Sequence, residues 1–370
     1  MSRAGIKNES RFFLILVVIL SLFGFFIFLS ASLGMIGSDM SGFIHVGLKQ
    51  FIVLLVGLVA MVLVSNIPYR YWRVYSLPLL ILSIIATALV FIPGLGISAG
   101  GATRWLGFGG ISIQPAELLK LGIIMYYAAW LATAKQKAST ISYGLIPMFI
   151  LMAVSGFLLI LQPDTGTFLV IASALICQFF VGGGKWRHLL IVALCGILAL
   201  GLLVVVKPYL RDRITTFLDP DSDTQGSAYQ INQSLIAIGS GGFSGRGFGQ
   251  SLQKFNFLPQ PIGDSIFAVA GEEFGFIGTI IILLLFLSFG LFGLKIASGS
   301  GDIFGRLLAT GLVILIISQS LANIGAMLGL IPLTGEPLIF VSQGGSALLF
   351  GLTAVGIIMN IARHKRQLSE

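Results

Sequence analysis

Ten apolar runs, each close to the length of a membrane-spanning helix, constrain this chain more than any other feature of its sequence. A helix needs about 20 mostly apolar residues to cross the hydrocarbon core of a bilayer. Hydrophobic residues make up 56% of the 370 positions and charged residues only 10%, unlike a soluble domain. The sequence therefore predicts an all-α polytopic membrane protein with about ten transmembrane helices, over residues 12–33, 51–67, 77–94, 117–134, 145–161, 167–182, 188–206, 265–294, 306–332 and 345–362.

The first run is predicted to remain in the protein as a helix. Its apolar segment is longer than the core of about 7–15 residues that is typical of a secretory signal. The small residues Ser30–Ala31–Ser32 leave cleavage open as an alternative. We expect residues 1–370 to form a single integral membrane domain.

Basic residues predict the orientation of the chain, because Lys and Arg are enriched in cytoplasmic loops. With the N-terminus inside, the inner segments carry 14 of the 22 basic residues and three of the 14 acidic ones. Both termini are then cytoplasmic. The inner basic residues are Arg3, Lys7, Arg11, Arg70, Arg73, Lys135, Lys137, Lys185, Arg187, Lys295, Arg306, Arg363, Lys365 and Arg366.

Several classes of function are disfavoured by the same composition. The net charge of +8 reflects the inside-outside asymmetry and not a basic soluble face, so we expect no nucleic-acid partner. Cys177 and Cys195 lie within apolar runs and are predicted to be free thiols. The three histidines are scattered, and no metal-ligand spacing or Ser–His–Asp set can be assembled from them.

Two outer segments are long and polar, and long loops of this kind are often functional. One is the glycine-rich segment 95–116, and the other is the loop of about 207–263 between the seventh and eighth predicted helices. Within the second loop, Lys207–Leu218 suits an amphipathic interfacial helix. Asp219–Asp223 suits an acidic turn, with a calcium loop as the less favoured alternative.

The second half of this loop contains a short predicted helix and then a glycine-rich stretch. The helix spans Tyr229–Ile238, with Gln230 and Gln233 on its polar side, and Gly239–Gly249 follows it. Backbone N–H groups of such a stretch can bind phosphate. Arg246 and Lys254 support that interpretation, but a flexible surface or re-entrant loop explains the glycines equally well.

Carboxylates in or beside the apolar runs are candidate functional groups, because ionisable side chains within a membrane are costly and usually have a partner. Glu117 and Lys120 can meet on one helix face, either as a structural pair or as the lining of a polar cavity. Asp164 and Asp264 each precede a predicted helix and suit capping. Glu272 and Glu273 follow Asp264 by eight and nine residues. As neighbours on one helix, their side chains point about 100° apart around the axis. At least one of these acids should therefore be buried, paired or protonated.

The residues alone fit two classes of membrane protein. One is an enzyme that acts at the outer surface on an amphiphilic, phosphate-bearing substrate. The other is a transporter that uses the acids as ion or proton sites. Transporters often contain inverted repeats, and we find no convincing repeat in this sequence.

From its first to its last apolar run, the sequence resembles the SEDS family of bacterial proteins, the group of FtsW and RodA. The resemblance rests on motifs in one order: Arg104–Trp105–Leu106, Gln114–Pro115–Ala116–Glu117, Gln162–Pro163–Asp164–Thr165–Gly166, Phe217–Leu218–Asp219–Pro220, Tyr229–Gln230, Gln233–Ser234, Gly247–Phe248–Gly249–Gln250–Ser251, Gln253–Lys254, Leu258–Pro259, Asp264, Gly271–Glu272–Glu273–Phe274–Gly275, Val341–Ser342 and Gly344–Gly345–Ser346. Two stretches, around Gln233 and around Gln250, look more like FtsW than RodA.

The resemblance implies peptidoglycan glycosyltransferase activity, with lipid II polymerised into glycan strands. It implies that Asp264 is the catalytic base and that no cofactor is tightly bound, although a divalent cation can accompany the pyrophosphate. The expected substrate-binding residues are Arg104, Trp105, Glu117, Lys120, Asp164, Gln233, Arg246, Lys254, Glu272, Glu273 and Ser342. A lipid II flippase on the same helices is the alternative.

The expected setting is the bacterial cytoplasmic membrane, with a class B penicillin-binding protein and other division or elongation proteins as partners. The sequence departs from the family pattern near the expected catalytic residue. Gln260, Gly263 and Ser265 replace a glutamate, a threonine and a phenylalanine, and Gln343 replaces a tyrosine. Glu336–Pro337 also replaces a more apolar pair.

The predicted orientation can be tested by cysteine labelling. In a chain whose own two cysteines are replaced, Ser240→Cys should react with an impermeant thiol reagent on intact cells, because 207–263 faces outward. Gln136→Cys, in a predicted inner loop, is the control and should react only after lysis. Labelling of the Ser240 position only after lysis would contradict the ten-helix topology.

Overall fold

Every one of the ten apolar runs contains a helix in this computed structural model. The structure describes residues 3–36, 40–99, 102–108, 111–219 and 226–367. Backbone polar groups must be satisfied internally within lipid, and a helix does this with its own hydrogen bonds. The α-helices are α1 Arg3–Ser32, α2 Met40–Ser65, α3 Arg70–Val74, α4 Ser76–Leu89, α5 Pro115–Ala134, α6 Ile146–Leu161, α7 Thr165–Val181, α8 Trp186–Val206, α9 Pro208–Leu218, α10 Ser227–Ser240, α11 Ile266–Ser298, α12 Ile303–Met327 and α13 Gly345–Gln367.

The polytopic helical architecture is confirmed, and the number of crossings stays a prediction. Among the described residues, seven helical segments are long and apolar enough to span a membrane. The helices α4 and α7 are apolar but shorter, with 14 and 17 residues. The helix α5 has 20 residues and carries Glu117 and Lys120, which lower its apolar character.

The centre of the bundle is formed by α12 and α13, and α8 lies at its edge. About 72% of the apolar segment is buried in each of α12 and α13, compared with 6% in α8. The helix α12 contacts α5, α7 and α11, whereas α13 packs mainly against α2. Residues near the C-terminal end of α12 can therefore contact several elements at once.

The outer segment 95–116 forms a small sheet, which the all-α prediction missed. Strands β1 Gly96–Ala99, β2 Ala102–Phe108 and β3 Ile111–Ile113 are antiparallel in the order β1-β2-β3. The glycines of the segment obscured the strand pattern, because glycine is usually depleted in strands. The sheet leads directly into α5, whose first turn contains Pro115, a residue suited to that position.

The two predicted helices of the long outer loop are confirmed as α9 and α10. The proline at the first position of α9 suits a helix start, because the missing N–H has no intrahelical partner there. The predicted acidic turn begins at Asp219, where α9 ends, and residues 220–225 lie outside the described part of the chain. The fold therefore leaves the calcium alternative untested.

The helix α11 is interrupted at Gly275, where φ is 64° and ψ is −162°. The interruption leaves backbone groups without intrahelical partners, and the glycine-rich loop supplies them. The Phe276 N–H donates to the Gly242 carbonyl at 2.9 Å, and the Arg246 N–H donates to the Glu272 carbonyl at 3.0 Å. The loop and the interrupted helix therefore satisfy each other's backbone.

Such close backbone contact requires glycine. A Cβ atom on Gly241 would overlap the carbonyl oxygen of Gly271, and one on Gly245 would overlap that of Glu273. Both would lie closer than 3.0 Å, a separation that real Cβ atoms essentially never show. Contact with α11 thus accounts for glycine at both positions, without any bound phosphate.

We expect Gly241→Ala to reduce the stability of the fold, because its Cβ must displace the backbone of α11. Overpacking of this kind typically costs about 1–3 kcal/mol. Gly239→Ala is the matched control, because Gly239 lies two residues earlier and a Cβ added there would have nothing within 4 Å. The measurement is the apparent melting temperature in detergent. Equal melting temperatures for the two variants would contradict the steric requirement.

Candidate active site at the outer end of α11 and α12

Asp264 lies two residues before α11 and is held by α10 and α12. The N-cap residue of α11 is Ser265, whose side chain makes no capping hydrogen bond. The Gln230 side-chain amide donates to Asp264 Oδ1 at 3.1 Å and to Ser265 Oγ at 2.9 Å. The Asn323 amide donates to the Asp264 carbonyl at 2.7 Å. Asp264 is thus not the N-cap of α11, and its carboxylate is oriented by a neighbouring helix.

The electrostatic setting of Asp264 suits a group that exchanges a proton. Burial raises the pKa of its carboxyl above the ordinary value, while the hydrogen bond from Gln230 and the charge of Arg213 act in the opposite direction. A carboxylate with a raised pKa is a stronger base than an ordinary one, and it is still ionised when its pKa lies below the ambient pH. Asp264 also remains partly exposed, so a substrate can reach it.

The predicted contact between Glu117 and Lys120 is confirmed. Lys120 Nζ lies 2.8 Å from Glu117 Oε1, and both side chains are almost completely buried. Lys120 Nζ also donates to Gln319 Oε1 at 2.6 Å. The ammonium group is therefore held by α5 and α12 together, and its charge is compensated within the protein.

Asp164 caps α7, which is the first of its two predicted roles, helix capping and substrate binding. Its Oδ1 accepts from the Thr167 N–H at 3.4 Å, and its Oδ2 accepts from the Gln114 side chain at 3.5 Å. Arg104, on β2, donates to the carbonyl of Gln162 at 3.1 Å and to that of Pro163. The sheet thereby places Arg104 at the same corner of the bundle as Asp164.

Glu336 is a buried acid of this site that the sequence prediction noted only as a departure from the family pattern. It lies in the non-helical segment between α12 and α13, with 3% of its surface exposed. The Thr167 hydroxyl donates to its Oε1 at 2.7 Å. The Asn323 amide that holds the Asp264 carbonyl also donates to the Glu336 carbonyl, at 2.8 Å. One side chain therefore links this segment to the start of α11.

The helix α9 contributes two further residues that the sequence prediction missed. Tyr209 and Arg213 are both partly buried, and electrostatic interactions couple them to each other and to Arg104 and Asp164. The prediction had treated Arg213 as part of an interfacial helix face. Their i, i+4 spacing was the available signal, because it places both on one face.

Glu272, Glu273 and Lys254 form a separate cluster, which attaches the outer loop to α11. Lys254 Nζ lies 2.8 Å from Glu273 Oε1, and neither side chain is exposed. Glu272 accepts from the Ser251 hydroxyl at 2.6 Å and from the Leu252 N–H at 3.0 Å. Both acids are buried and paired, as expected, and the Lys254 ammonium group is enclosed.

The other predicted site residues have different surroundings. Arg246 Nε lies 3.5 Å from Glu272 Oε1 and its side chain is 36% exposed. Ser342 Oγ accepts from the Leu338 N–H at 2.9 Å and thus closes a local turn. Trp105 on β2 and Gln233 on α10 are partly exposed. The prediction therefore combined residues with different surroundings, and those around Asp264 are Arg104, Glu117, Lys120 and Asp164.

Two further observations concern metal binding and the rest of the fold. Within the described ranges, no group of three or more His, Cys, Asp or Glu side chains is arranged to hold a metal ion. A cavity of about 560 Å³ lies at the opposite end of α12, with Arg73, Lys135 and Asp302 in its lining. It includes none of the predicted site residues. Cys177 and Cys195 are free, as predicted.

Comparison with known proteins gives matches along nearly the whole chain. A family model described as cell cycle protein, for FtsW, RodA and SpoVE, matches residues 10–367. Stage V sporulation protein E of Bacillus subtilis is 39% identical over 318 residues, which cover 86% of this chain and 87% of that protein. The probable peptidoglycan glycosyltransferase FtsW of Geobacter metallireducens is 38% identical over 363 residues, or 97% of each chain.

Solved structures give the same relationship. A chain from a peptidoglycan synthase complex that coordinates polymerization and crosslinking superposes with a TM-score of 0.79 and 30% identity, covering 95% of this chain and 97% of that one. The rod shape determining protein RodA of Thermus thermophilus has a TM-score of 0.70 and 27% identity, with coverage of 95% and 96%.

Stability should depend on pH through Glu336. Burial, and secondly the charge of Asp164, raise the pKa of Glu336 from 4.5 to about 8, against the opposing effects of Lys120 and Thr167. Between these two values the folded chain binds more protons than the unfolded chain, so this group makes stability fall as pH rises. We expect Glu336→Gln to flatten the decline in apparent melting temperature between pH 6 and pH 9. Parallel pH profiles for the two proteins would contradict this assignment.

Proposed function

Because the chain belongs to the family of FtsW, RodA and SpoVE, we propose that it is a peptidoglycan glycosyltransferase that polymerises lipid II, with Asp264 as its catalytic base. Lipid II carries a disaccharide on undecaprenyl pyrophosphate. The proposed role is in cell division or in the maintenance of cell shape, and the two FtsW-like stretches favour division.

The observation that carries the activity is similarity over 97% of the chain to a relative named as a peptidoglycan glycosyltransferase. The geometry supports Asp264 as the location of the chemistry. Asp264 is partly exposed, is oriented by Gln230 of α10, and lies where α11 begins beside α12. The flippase alternative requires a path across the membrane, and neither the relatives nor the buried ion pairs favour one.

The proposed reaction inverts the anomeric carbon of the donor sugar. A sugar hydroxyl of the acceptor attacks that carbon, its proton passes to the Asp264 carboxylate, and the bond to the lipid pyrophosphate breaks. An inverting transfer needs one base on the attacking face. A positioned carboxylate typically contributes about 10²–10⁴-fold to the rate of such a step.

The remaining site residues are proposed to bind and position the substrate. Arg104 lies at the corner of Asp164 and is available to the pyrophosphate, whereas Trp105 can stack on a sugar or anchor the sheet at the interface. Glu117 and Lys120 would act mainly by holding α5 and α12 together beside the site, because they are already paired with each other and Lys120 also contacts Gln319. A divalent cation that arrives with the pyrophosphate would add positive charge at the leaving group.

The proposed setting follows from the family and from the pattern of basic residues. The protein is a bacterial membrane protein, and we propose that both termini are cytoplasmic and that residues 1–370 act as one domain. A class B penicillin-binding protein is the proposed partner, together with other division or elongation proteins. The similarity to a chain of a complex that couples polymerization to crosslinking supports that partner.

We expect Asp264→Asn to abolish most polymerisation without loss of folding. The amide keeps the shape of the side chain and its contact with Gln230, but it cannot accept the proton. Polymer formation from purified lipid II should fall at least about 10²-fold, while expression and lipid II binding stay near normal.

Asp302→Asn is the matched control for this test. Asp302 caps α12 at the opposite end of the bundle through a 2.7 Å hydrogen bond from the Gly305 N–H. Asparagine caps helices about as well as aspartate, so this variant should polymerise normally. Near-normal polymer output from Asp264→Asn would overturn the catalytic assignment.

A further inference from the structure

We propose that Arg213 and Tyr209 of α9, together with Arg104 of β2, form the pocket that holds the pyrophosphate of the donor lipid. This inference rests on the proposed polymerase function and assigns a part of its site that the sequence motifs did not. The ligand is recognised as a diphosphate ester, and the lipid tail takes no part in the proposed contacts.

The position of α9 brings both side chains to the site. Tyr209 and Arg213 are separated by four residues and therefore lie on one face of the helix. Both are partly buried, whereas Arg211 and Asp212 between them are exposed. The Arg213 guanidinium also reaches the segment that contains Glu336, because a Cβ on Gly335 would lie 3.8 Å from Arg213 Nη2. The face of α9 that carries Arg213 is thus turned toward the site and away from solvent.

Arg213 and Arg104 are two neighbouring positive charges that repel each other. Among the described residues, neither guanidinium takes part in an ion pair. Burial, and secondly the charge of Arg104, lower the pKa of Arg213. Arg104 uses two of its donors on the carbonyls of Gln162 and Pro163, and a guanidinium has five. An anion with several oxygens would relieve the repulsion and use the remaining donors.

The Tyr209 hydroxyl is a second, independent sign of a missing ligand. Its oxygen is buried and has no hydrogen-bond partner of normal geometry in the described part of the chain, although Thr165 lies beside it. Buried polar atoms are usually hydrogen-bonded, and an orphan needs an explanation. A phosphate oxygen between Tyr209 and Arg213 would accept from both side chains.

The other basic residues are less suitable for this role. Lys120 and Lys254 are buried and paired with glutamates, and Arg246 contacts Glu272 and the Ser240 carbonyl. A cation that is already compensated stabilises an additional negative charge less than an uncompensated one does. Arg213, in contrast, makes no direct ion pair within the described residues, although Asp164 and Asp264 interact with it electrostatically.

In the proposed arrangement, Asp264 acts at the attacking hydroxyl, and Arg213, Arg104 and Tyr209 act at the leaving pyrophosphate. Asp264 takes the proton from the attacking hydroxyl while the new bond to the anomeric carbon forms. The bond from that carbon to the phosphate oxygen breaks, and its electron pair stays with the pyrophosphate. Donors from Arg213, Arg104 and Tyr209 would stabilise the negative charge that develops on the pyrophosphate. Donors that face a developing charge lower the activation barrier of the reaction.

The test compares Arg213→Gln, Arg213→Lys and Tyr209→Phe with the control Arg211→Gln, which changes an exposed arginine of the same helix. Two properties are measured on the full-length protein in detergent. One is the rate of polymerisation of lipid II, and the other is binding of undecaprenyl pyrophosphate, compared with undecaprenyl monophosphate, by thermal stabilisation. Apparent melting temperatures without ligand identify any variant that is misfolded.

We expect Arg213→Gln to lower the polymerisation rate about 10²–10³-fold, the usual effect of removing one donor to a developing charge. It should also weaken binding of the diphosphate lipid more than binding of the monophosphate lipid. Arg213→Lys should restore only part of both properties, because an ammonium group lacks the planar fork of arginine. Tyr209→Phe should have a smaller effect in the same direction, and Arg211→Gln should match the unchanged protein.

The two measurements separate this inference from the proposed function. If the unchanged protein makes no polymer but binds the diphosphate lipid through Arg213, the polymerase proposal fails and the pocket stands. If the unchanged protein polymerises and a folded Arg213→Gln protein polymerises and binds equally well, the pocket is overturned. Equal loss of binding in Arg213→Gln and Arg211→Gln would also overturn it, since general charge would then explain the effect.

Discussion

The need to satisfy every backbone and charged group inside a low-dielectric bundle determines this structure more than any single contact. Where α11 is interrupted at Gly275, the unpaired backbone groups are not left to lipid, because the outer loop supplies their partners. The same loop then delivers Lys254 to Glu273. The interruption, the glycines and the buried ion pair are therefore parts of one arrangement. Together they fix the path of the chain that leads to Asp264.

The two polar clusters differ in how completely their polar and charged groups are paired directly with one another. Around Glu272 and Glu273, hydroxyl groups, N–H groups and the Lys254 ammonium group supply donors to both carboxylates. A fully paired network of this kind rigidifies a fold. Around Asp264, by contrast, Arg213 lacks an ion-pair partner within the described residues and the Tyr209 hydroxyl lacks a hydrogen bond. Substrate groups can complete the second cluster but would have to disrupt the first.

The sequence predicted what depends on local spacing. Apolar length located the helices, and the i, i+3 spacing located the pair of Glu117 and Lys120. It did not predict contacts between distant parts of the chain, such as Thr167 with Glu336, which are 169 residues apart. The strands of segment 95–116 were also missed, because their pairing, and not their glycine-rich composition, defines them. The family resemblance singled out Asp264 by position, but only the fold shows that Gln230 orients it.

The Asn323 side chain connects the segment that contains Glu336 to the backbone of Asp264. Its single side-chain NH₂ group donates to the carbonyls of Asp264 and Glu336, at 2.7 and 2.8 Å, so both donors are used. Neither carbonyl can move far without losing a buried hydrogen bond, which typically costs about 1–3 kcal/mol. The side chain of Glu336 meanwhile interacts electrostatically with Asp164 and Lys120, and its ionisation would add a negative charge to those of Asp164 and Glu117. The backbone of Asp264 is therefore connected through Asn323 to a segment that contains a buried acid with a raised pKa.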